Sequence, residues 1–459
     1  MEGDPWRQVK LQFSNRKRTI LAAISVCIMT SLLLAGTAVI ARPHHGVFTV
    51  APSGDVSGVE DTTNIQQALD DAITAGGGST VLLEEGDYYL CETIVGVNFD
   101  GTFKGAGAGL TVLHSVENFP AQDTGNLGTA NPRMLMFYQD ESSTSTANDP
   151  YKIKLHDFSL KVDQPTEAWY YGLFRAMNVL DIYGKVDGQS TEGMSYFDAT
   201  VKNVEFLGDV GDEYGYFGLS IQNALLIQGE WGAEFVNERI SGKYVVEGCH
   251  FQNSLGSSVM FGSFGDSHIR IVRNTYQDTM IGPELYDLDN SHAEVAFNEV
   301  TGVGWFGVYV CNGLYATSLE PSRVLIHHNH IECAPGGTGI WLDDYLAVPG
   351  EVEGISVFAL HNQIVLNDPY SWGIFGYGAQ KVWLVHNTIS GSGEAGIVTG
   401  IWGDAVEGWK LVLNDLSDFN AEVADIWLGP GTSHCWLIHR GPSASVLDEG
   451  TDNWLLLLP

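Results

Sequence analysis

The most regular feature of the chain is a repeated alternation of apolar and polar positions, each copy ending in an asparagine. Six segments, from IRIVRNTY to KLVLNDL, share a β-rich run, an Asn and an apolar residue two positions later. Alternation with a period of two is typical of strands, so the pattern predicts short strands that recur every 24 to 33 residues. The asparagines are Asn274, Asn298, Asn329, Asn362, Asn387 and Asn414.

A second apolar run follows each of these asparagines after 10 to 12 residues. Units of this length leave no room for the helices of βαβ crossovers. They match the turns of a parallel β-solenoid, in which rungs stack and differences in length are loops at the corners. The second runs begin at Val259, Tyr286, Val308, Ile340, Ile374, Ile397 and Ile426, the first of them after a weaker copy, YVVEGCHF, with Gly248 at the Asn position.

The asparagine column has a structural interpretation. Asn tolerates the left-handed backbone conformation that a sharp corner requires. Stacked amides can also hydrogen-bond from one rung to the next. We therefore expect the column to shape the coil rather than to bind a ligand.

The first 113 residues differ from the rungs. Basic residues, among them Arg16, Lys17 and Arg18, precede an uncharged apolar run at 20–41, which predicts a cleaved signal peptide or a retained membrane anchor. Either would leave the rest of the chain outside the cytoplasm, secreted or anchored, with the membrane contacted only through this segment. Further on, Ile65, Leu69, Ala72 and Ile73 predict one amphipathic helix at 63–75, ended by the glycines at 76–78.

The helix motif D-T-x-x-I-Q-x-A-L-D-x-A, the following G-G-G and the Asn-bearing rungs resemble the pectate-lyase-like, right-handed parallel β-helix superfamily. The resemblance implies an all-β solenoid with an N-terminal capping helix. Superfamily members include polysaccharide lyases, glycoside hydrolases, uronan epimerases, phage tailspikes and non-enzymatic surface proteins. We expect a targeting segment at 1–41, cap and first rungs at 47–113, irregular rungs at 114–200, regular rungs at 201–430 and a tail or cap at 431–459.

Composition narrows the possible partners. The chain has 22 Lys and Arg against 56 Asp and Glu, a net charge of -34. Nucleic acid is excluded as a partner because phosphates need a basic surface. The five cysteines after the apolar run are scattered and contain no C-x-x-C, so they predict buried thiols rather than disulfides or a zinc site.

Alternation along the second strands assigns some side chains to the outside of the coil. With Ile340 inward, one outward column carries Asp287, Tyr309, Trp341, Phe375 and Trp427, and the next carries Asp289, Asp343 and Tyr377. Aromatic rings at the rung spacing predict a platform for sugars or a surface covered by a loop. Asp343, Asp344, Asp289 and Asp287 are the candidate catalytic carboxylates, with a Ca²⁺ site as the alternative.

A third column stands six residues before each corner asparagine. It contains His268, His292, Arg323 and Lys381, with a serine at the fourth of its five positions. In so acidic a chain these side chains predict contacts with the carboxylate of a uronate sugar, or else a solvated corner. They complete the predicted substrate-binding set, together with Trp341, Tyr309, Phe375, Tyr377 and Trp427.

Two functions remain open from the sequence. One is an enzyme that cleaves or epimerises an acidic polysaccharide. The other is a non-catalytic, adhesin-like surface protein that binds carbohydrate. An Asp-Asp pair is present at 343–344, but the other motifs of polygalacturonase-type hydrolases, the Arg-Pro-x-x-Arg of pectate lyases and the Asp-Pro-His-Asp of uronan epimerases have no clear counterpart. The resemblance therefore implies the fold and a polysaccharide partner, and it carries no catalytic residue except as a hypothesis for Asp343 and Asp344.

Overall fold

The repeated strands stack in parallel and form a coil with three walls. The structure is a computed structural model that describes residues 45–116, 119, 132–163, 177–185, 193–210, 220–229, 238–312, 320–344, 355–379, 381–401, 406–440 and 444–458. Every ladder between strands in these ranges is parallel, as one strand per rung and wall requires. The all-β solenoid predicted from the repeats is confirmed.

The first wall lies before the asparagine corner in each rung. Its longest strands continue around a corner into the second wall. The strands are Val47–Val50, Ser79–Leu83, Gly101–Lys104, Tyr151–Lys161, Gly193–Leu207, Lys243–Glu247, His268–Val272, His292–Ala296, Arg323–His327, Ser356–Leu360, Val382–Val385, Lys410–Val412, Trp436–Arg440 and Trp454–Leu458.

The second wall follows the asparagine corner. It receives the ends of two first-wall strands, Tyr151–Lys161 and Gly193–Leu207. Its own strands are Gly86–Leu90, Thr111–Ser115, His250–Gln252, Thr275–Gln277, Glu299–Val303, His330–Cys333, Gln363–Asn367, Thr388–Thr399 and Phe419–Leu428.

The third wall contains the second apolar runs and closes each rung. Two strands of the second wall, Thr388–Thr399 and Phe419–Leu428, bend into it. The strands that belong to the third wall alone are Ile94–Val97, Arg133–Gln139, Asn178–Lys185, Leu225–Gln228, Ser257–Gly265, Ile281–Asp289, Phe306–Asn312, Thr338–Asp344, Trp372–Tyr377 and Val446–Asp448. Three short strands complete the described structure: Glu238–Ser241, and Val406–Glu407 paired with Thr432–Ser433.

Helix α1, Val59–Ala75, packs against the first four strands. It begins four residues earlier than predicted and ends before Gly76, as predicted. Ile65 and Leu69 are fully buried in the core, and Asp61 accepts hydrogen bonds from the backbone amides of Ser53 and Tyr89. No helix in the described ranges is apolar and long enough to cross a membrane. The predicted targeting run at 20–41 lies outside these ranges.

The asparagine column is a continuous hydrogen-bonded ladder inside the corner between the first and second walls. Each amide from Asn274 to Asn387 donates to the amide oxygen of the next Asn, at 2.9–3.1 Å. All six side chains are buried. The left-handed conformation was predicted for the Asn itself and is found one residue earlier instead, at Arg273, Phe297, His328, His361, His386 and Leu413.

Branched apolar side chains fill the interior of the coil as predicted. One core extends from Val50 to Leu437, and within it Phe206, Phe251 and Tyr276 stack in successive rungs at 4.8 and 4.9 Å between ring centroids. Four described cysteines are buried free thiols and Cys91 is half-buried, which agrees with the sequence prediction.

Candidate functional site

The third wall carries an outward column of side chains that forms apolar clusters separate from the main core. One cluster contains Met136, Tyr183 and Leu226, and the other contains Phe375, Val398 and neighbouring rings. The register confirms the predicted alignment of Tyr309, Trp341, Phe375 and Trp427 in one column. The full column is Val95, Met136, Asp181, Leu226, Met260, Glu284, Tyr309, Trp341, Phe375, Val398, Trp427 and Leu447.

The predicted places of Asp287 and Asp289 in these columns are wrong. The strand starts at Ile281, so that Glu284 pairs with Tyr309 and Tyr286 pairs with Cys311. Asp287 comes next and has a left-handed φ of 49°, which bends the strand out of the wall. Asp289 lies beyond the bend, where it pairs with Gly265. Sequence reasoning missed Glu284, which lies three residues before Asp287 on the same strand.

Asp343 is held by two aromatic side chains of the same wall. The Tyr309 hydroxyl donates to its Oδ2 at 3.0 Å, and the Trp341 indole Nε1 donates to its Oδ1 at 2.5 Å. Asp343 is buried, while Tyr309 and Trp341 are half-buried. Burial, Cys311 and Asp343 together raise the pKa of Tyr309, so the phenol keeps its proton and remains a donor.

Cys311 lies at the centre of a carboxyl cluster. Burial raises the pKa of its thiol, the hydrogen bond with Tyr309 opposes the rise, and the charges of Asp343, Asp287 and Glu284 add to it. Glu284 and Asp287 on one rung, and Asp343 two rungs further on, therefore lie within electrostatic reach of one thiol. The catalytic role predicted for Asp287 and Asp343 stays a prediction, and Glu284 is an additional carboxyl of this cluster.

The pKa of Glu284 is raised well above its ordinary value. Glu284 is buried, and its Oε2 accepts a hydrogen bond from the hydroxyl of Ser257. Burial raises the pKa of Glu284 to about 7, and the Ser257 hydrogen bond offsets only part of the rise. A carboxyl with this pKa is protonated in an appreciable fraction of molecules at neutral pH, as a general acid must be.

The other two candidate carboxylates accept hydrogen bonds from backbone amides. Asp344 accepts a hydrogen bond from the amide of Ile355 at 3.0 Å, and Asp289 accepts one from the amide of Glu320. Asp344 was expected at the corner where its strand ends, and the strand does end at Asp344. Both carboxylates are buried.

The rings beyond Asp343 pack on one another. Trp341 lies 4.2 Å from Phe375 and 5.9 Å from Trp372 between ring centroids. Phe375 is 1% exposed, because Trp341 and Trp372 pack against its ring, and its predicted contact with substrate stays a prediction. Tyr377 and Trp427 are half-buried, and Trp427 donates from Nε1 to Glu449 at 3.0 Å.

The predicted basic column lies on the first wall and not beside Trp341. Its register aligns His268 with His292, His292 with Arg323 and Arg323 with a serine, Ser356. Lys381 precedes Val382 at a left-handed corner position, with φ of 52°. The single groove expected from the sequence is therefore split between two walls. Lys243, which pairs with His268, also belongs to the column and was missed.

A buried polar cluster lies on the third wall, toward the N-terminal end of the coil. Arg133 forms an ion pair with Asp181 and donates to the Tyr183 hydroxyl at 3.2 Å, and that hydroxyl donates to Asp181 at 3.0 Å. Burial raises the pKa of Asp181, and Arg133 opposes the rise. Sequence reasoning missed these residues, although single charges within PRMLMFY and NVLDIY were the signal.

The structure gives no support to a metal site at the carboxyls. Within the described ranges, no three His, Cys, Asp or Glu side chains are grouped so that they could hold a metal ion.

Comparison with solved structures identifies the fold. The A-module of the mannuronan C-5 epimerase AlgE4 of Azotobacter vinelandii aligns over 89% of this chain and 100% of that one, with a TM-score of 0.55 and 14% identity. The chain has the right-handed parallel β-helix fold. The resemblance to the parallel β-helix superfamily is thereby confirmed at the level of fold.

Other matches are weaker. The DFA-IIIase of Arthrobacter chlorophenolicus A6 aligns over 90% of this chain and 98% of that one, with 11% identity and a TM-score of 0.42. No family model and no curated protein sequence matches the chain. Similarity at this level establishes the β-helix fold. The activity has to be inferred from the side chains of the third wall.

Proposed function

We propose that this β-helix protein is a carbohydrate-active enzyme that hydrolyses glycosidic bonds in a polysaccharide at the third wall. The observation that carries the proposal is the grouping of Glu284 and Asp343 around Cys311, beside the half-buried rings of Tyr309 and Trp341. The AlgE4 module, by its name an enzyme that acts on mannuronan, supports a polysaccharide as the partner.

In the proposed reaction, Glu284 protonates the leaving oxygen and Asp343 activates water. The two residues lie two rungs apart on one wall, which separates their backbones by about 9–10 Å. Side chains that reach toward each other across this span fit the roughly 6.5–9.5 Å between the carboxyls of an inverting hydrolase. Tyr309 and Trp341 hold both oxygens of Asp343 and so orient it.

The surroundings of Asp343 favour a neutral sugar at the bond that is cleaved. The neighbours described above are two carboxyls, a phenol, an indole and a thiol, so that a uronate placed there would meet like charges. The ring of Trp341 offers an apolar face, and sugars present C–H faces of matching character. A non-catalytic carbohydrate-binding protein is the alternative that the following experiment separates.

Asp343→Asn is expected to abolish product release from the polysaccharide substrate while the melting temperature changes little. The amide keeps the size of the carboxylate and an oxygen for Tyr309 or Trp341, but it cannot act as a base. The assay measures reducing ends and unsaturated products from a panel of neutral glycans and uronans.

Asp418→Asn, at an exposed carboxylate elsewhere on the coil, is the matched control and should keep full activity. Turnover that survives in Asp343→Asn would refute the assignment. Wild-type protein that binds a glycan without releasing product would favour the non-catalytic alternative, and unsaturated products would indicate a lyase.

We also propose that the chain is exported, on the basis of the basic residues that precede the apolar run at 20–41. The mass of the N-terminal peptide of the extracytoplasmic protein distinguishes the secreted form, which lacks the run, from the anchored form, which retains it. Protein found only in the cytoplasm would refute export.

A further inference from the structure

The outer face of the first wall carries a column of basic side chains that the third-wall chemistry does not use. Lys243, His268, His292 and Arg323 occupy four successive rungs, which lie about 4.8 Å apart. All four side chains are exposed. His268, His292 and Arg323 line an open pocket of about 370 Å³, together with Arg270, Glu294 and Leu325.

These four basic side chains have no ion-pair partner among the described residues. Two nearby arginines are paired: Arg270 donates to Glu294 at 2.8 Å, and Arg273 at the corner donates to Glu247 at 3.0 Å. A chain with 56 acidic and 22 basic residues could neutralise exposed cations at little cost. A continuous row that is left unpaired is therefore arranged for an anion from outside the chain.

Aromatic rings continue the surface toward the C-terminal end of the wall. The Arg323 guanidinium lies 4.5 Å from the centroid of the Phe358 ring, and Phe358 stacks on Trp383 at 4.4 Å with 4° between the planes. Lys410 Nζ lies 5.1 Å from the centroid of the Trp383 ring. Two stacked rings, Phe358 and Trp383, thus lie between the cations Arg323 and Lys410 along one wall.

We propose that the first wall is a second, separate glycan-binding surface that takes a polysaccharide bearing carboxylates. The column of Lys243, His268, His292 and Arg323 would contact carboxylates of successive sugar units, and the exposed edges of the Phe358 and Trp383 rings would contact their apolar faces. A bidentate guanidinium such as Arg323 is well matched to a carboxylate. This surface lies on a different wall from Glu284 and Asp343 and does not depend on their role.

The net charge of the protein, -34, determines which forces can hold an anionic polysaccharide. This charge repels any polyanion at long range, so binding depends on short-range ion pairs and on contacts with sugar rings. Single-stranded nucleic acid carries one phosphate on each nucleotide and can stack its bases on aromatic rings, so it is the competing polyanion in the test below. A uronan with one carboxylate on each sugar fits both parts of the surface.

Titration calorimetry with oligogalacturonate, cello-oligosaccharide and single-stranded DNA of similar length tests this proposal. Wild-type protein should bind the uronan oligomer in preference to the other two. The triple variant His268→Ala, His292→Ala and Arg323→Ala should lose about tenfold or more in affinity, since each charge-assisted contact is worth that order. Lys152→Ala removes an exposed cation of the same wall outside the pocket and should change the affinity less than about twofold.

Asp343→Asn should bind the uronan oligomer as wild type does, so a failure of the proposed enzymatic activity and a failure of this surface are distinguishable. Melting temperatures verify the fold, and Arg323→Glu serves as a single-residue substitute for the triple variant. The proposal would be overturned by equal binding of the neutral oligomer or of DNA, by unchanged affinity in the cation variants, or by no binding of the uronan oligomer to wild type.

Discussion

Glu284→Gln is expected to stabilise the protein at pH 8 by about 3 kcal/mol and at pH 5 by less than about 1 kcal/mol. Burial raises the pKa of Glu284 to about 7 in the folded chain, against an ordinary value of 4.5. Between these two values the unfolded chain loses its proton while the folded chain keeps it. The free energy of unfolding therefore falls as pH rises through this interval, and above it the full penalty remains.

Gln removes the penalty because it stays neutral at every pH, and its amide oxygen can still accept from Ser257. The measurement is urea unfolding of wild type and variant at both pH values, from which the difference in free energy isolates this one group. Glu299→Gln, at an exposed second-wall position, is the control and should give the same small difference at pH 5 and pH 8. An equal effect of Glu284→Gln at both pH values would show that the pKa of Glu284 is the same in the folded and the unfolded chain, which would contradict the raised pKa.

Asn362→Ala is expected to lower the free energy of unfolding by about 3–5 kcal/mol, because it leaves several buried polar groups without partners. Asn362 Oδ1 accepts from the backbone amide and the Nδ2 of Asn329, at 3.1 and 2.9 Å. Its Nδ2 donates to the carbonyl of Ile326 and to Asn387, both at 2.9 Å. Water cannot replace these contacts readily, since the side chain is 1% exposed.

Asn367→Ala provides the matched control five residues later. Asn367 is exposed, and its Nδ2 donates to Glu332 at 3.2 Å. Its loss should cost no more than about 0.5 kcal/mol. Urea unfolding compares the two variants, and equal effects would contradict a structural role for the asparagine ladder.

The fold was predictable because two independent regularities agree along the chain. The Asn spacing sets the rung, and the alternation around Ile340 and Val308 sets which side chains face inward. Both depend on local backbone geometry, which can be inferred from residue types and their spacing along the chain. The alignment of Tyr309, Trp341 and Trp427 follows from the same two regularities.

The position of the acid was not predictable, for a physical reason. The strand Ile281–Asp289 is buried at all nine positions, since its outward side chains are covered as well as its inward ones. Alternation between apolar and polar residues is then lost, and with it the phase that would place Glu284 outward. Asp287 occupies a left-handed bend that no periodicity reveals, and this bend removed Asp289 from the expected column.

The division of the site between two walls was also hidden from the sequence. The sequence gives only how many residues separate His268, Arg323 and Trp341 from a corner. Which wall of the coil each side chain faces depends on how the corners fold, and the spacing does not give that. Lys243 was missed because Gly248 was matched to the asparagines. The structure places Cys249 in that position, where its amide donates to Asn274 at 2.9 Å.

The dependence of turnover on pH, compared between wild type and Glu284→Gln, tests the central claim most directly. With a polysaccharide that wild type hydrolyses, turnover should fall as pH rises through about 7, because the acid loses its proton there. Below pH 7, Glu284→Gln should lose about 10²–10⁴-fold in kcat while it remains folded, and its turnover should not show the fall near pH 7. Full activity in Glu284→Gln with an unchanged pH profile would contradict the assignment of the third wall as the catalytic surface.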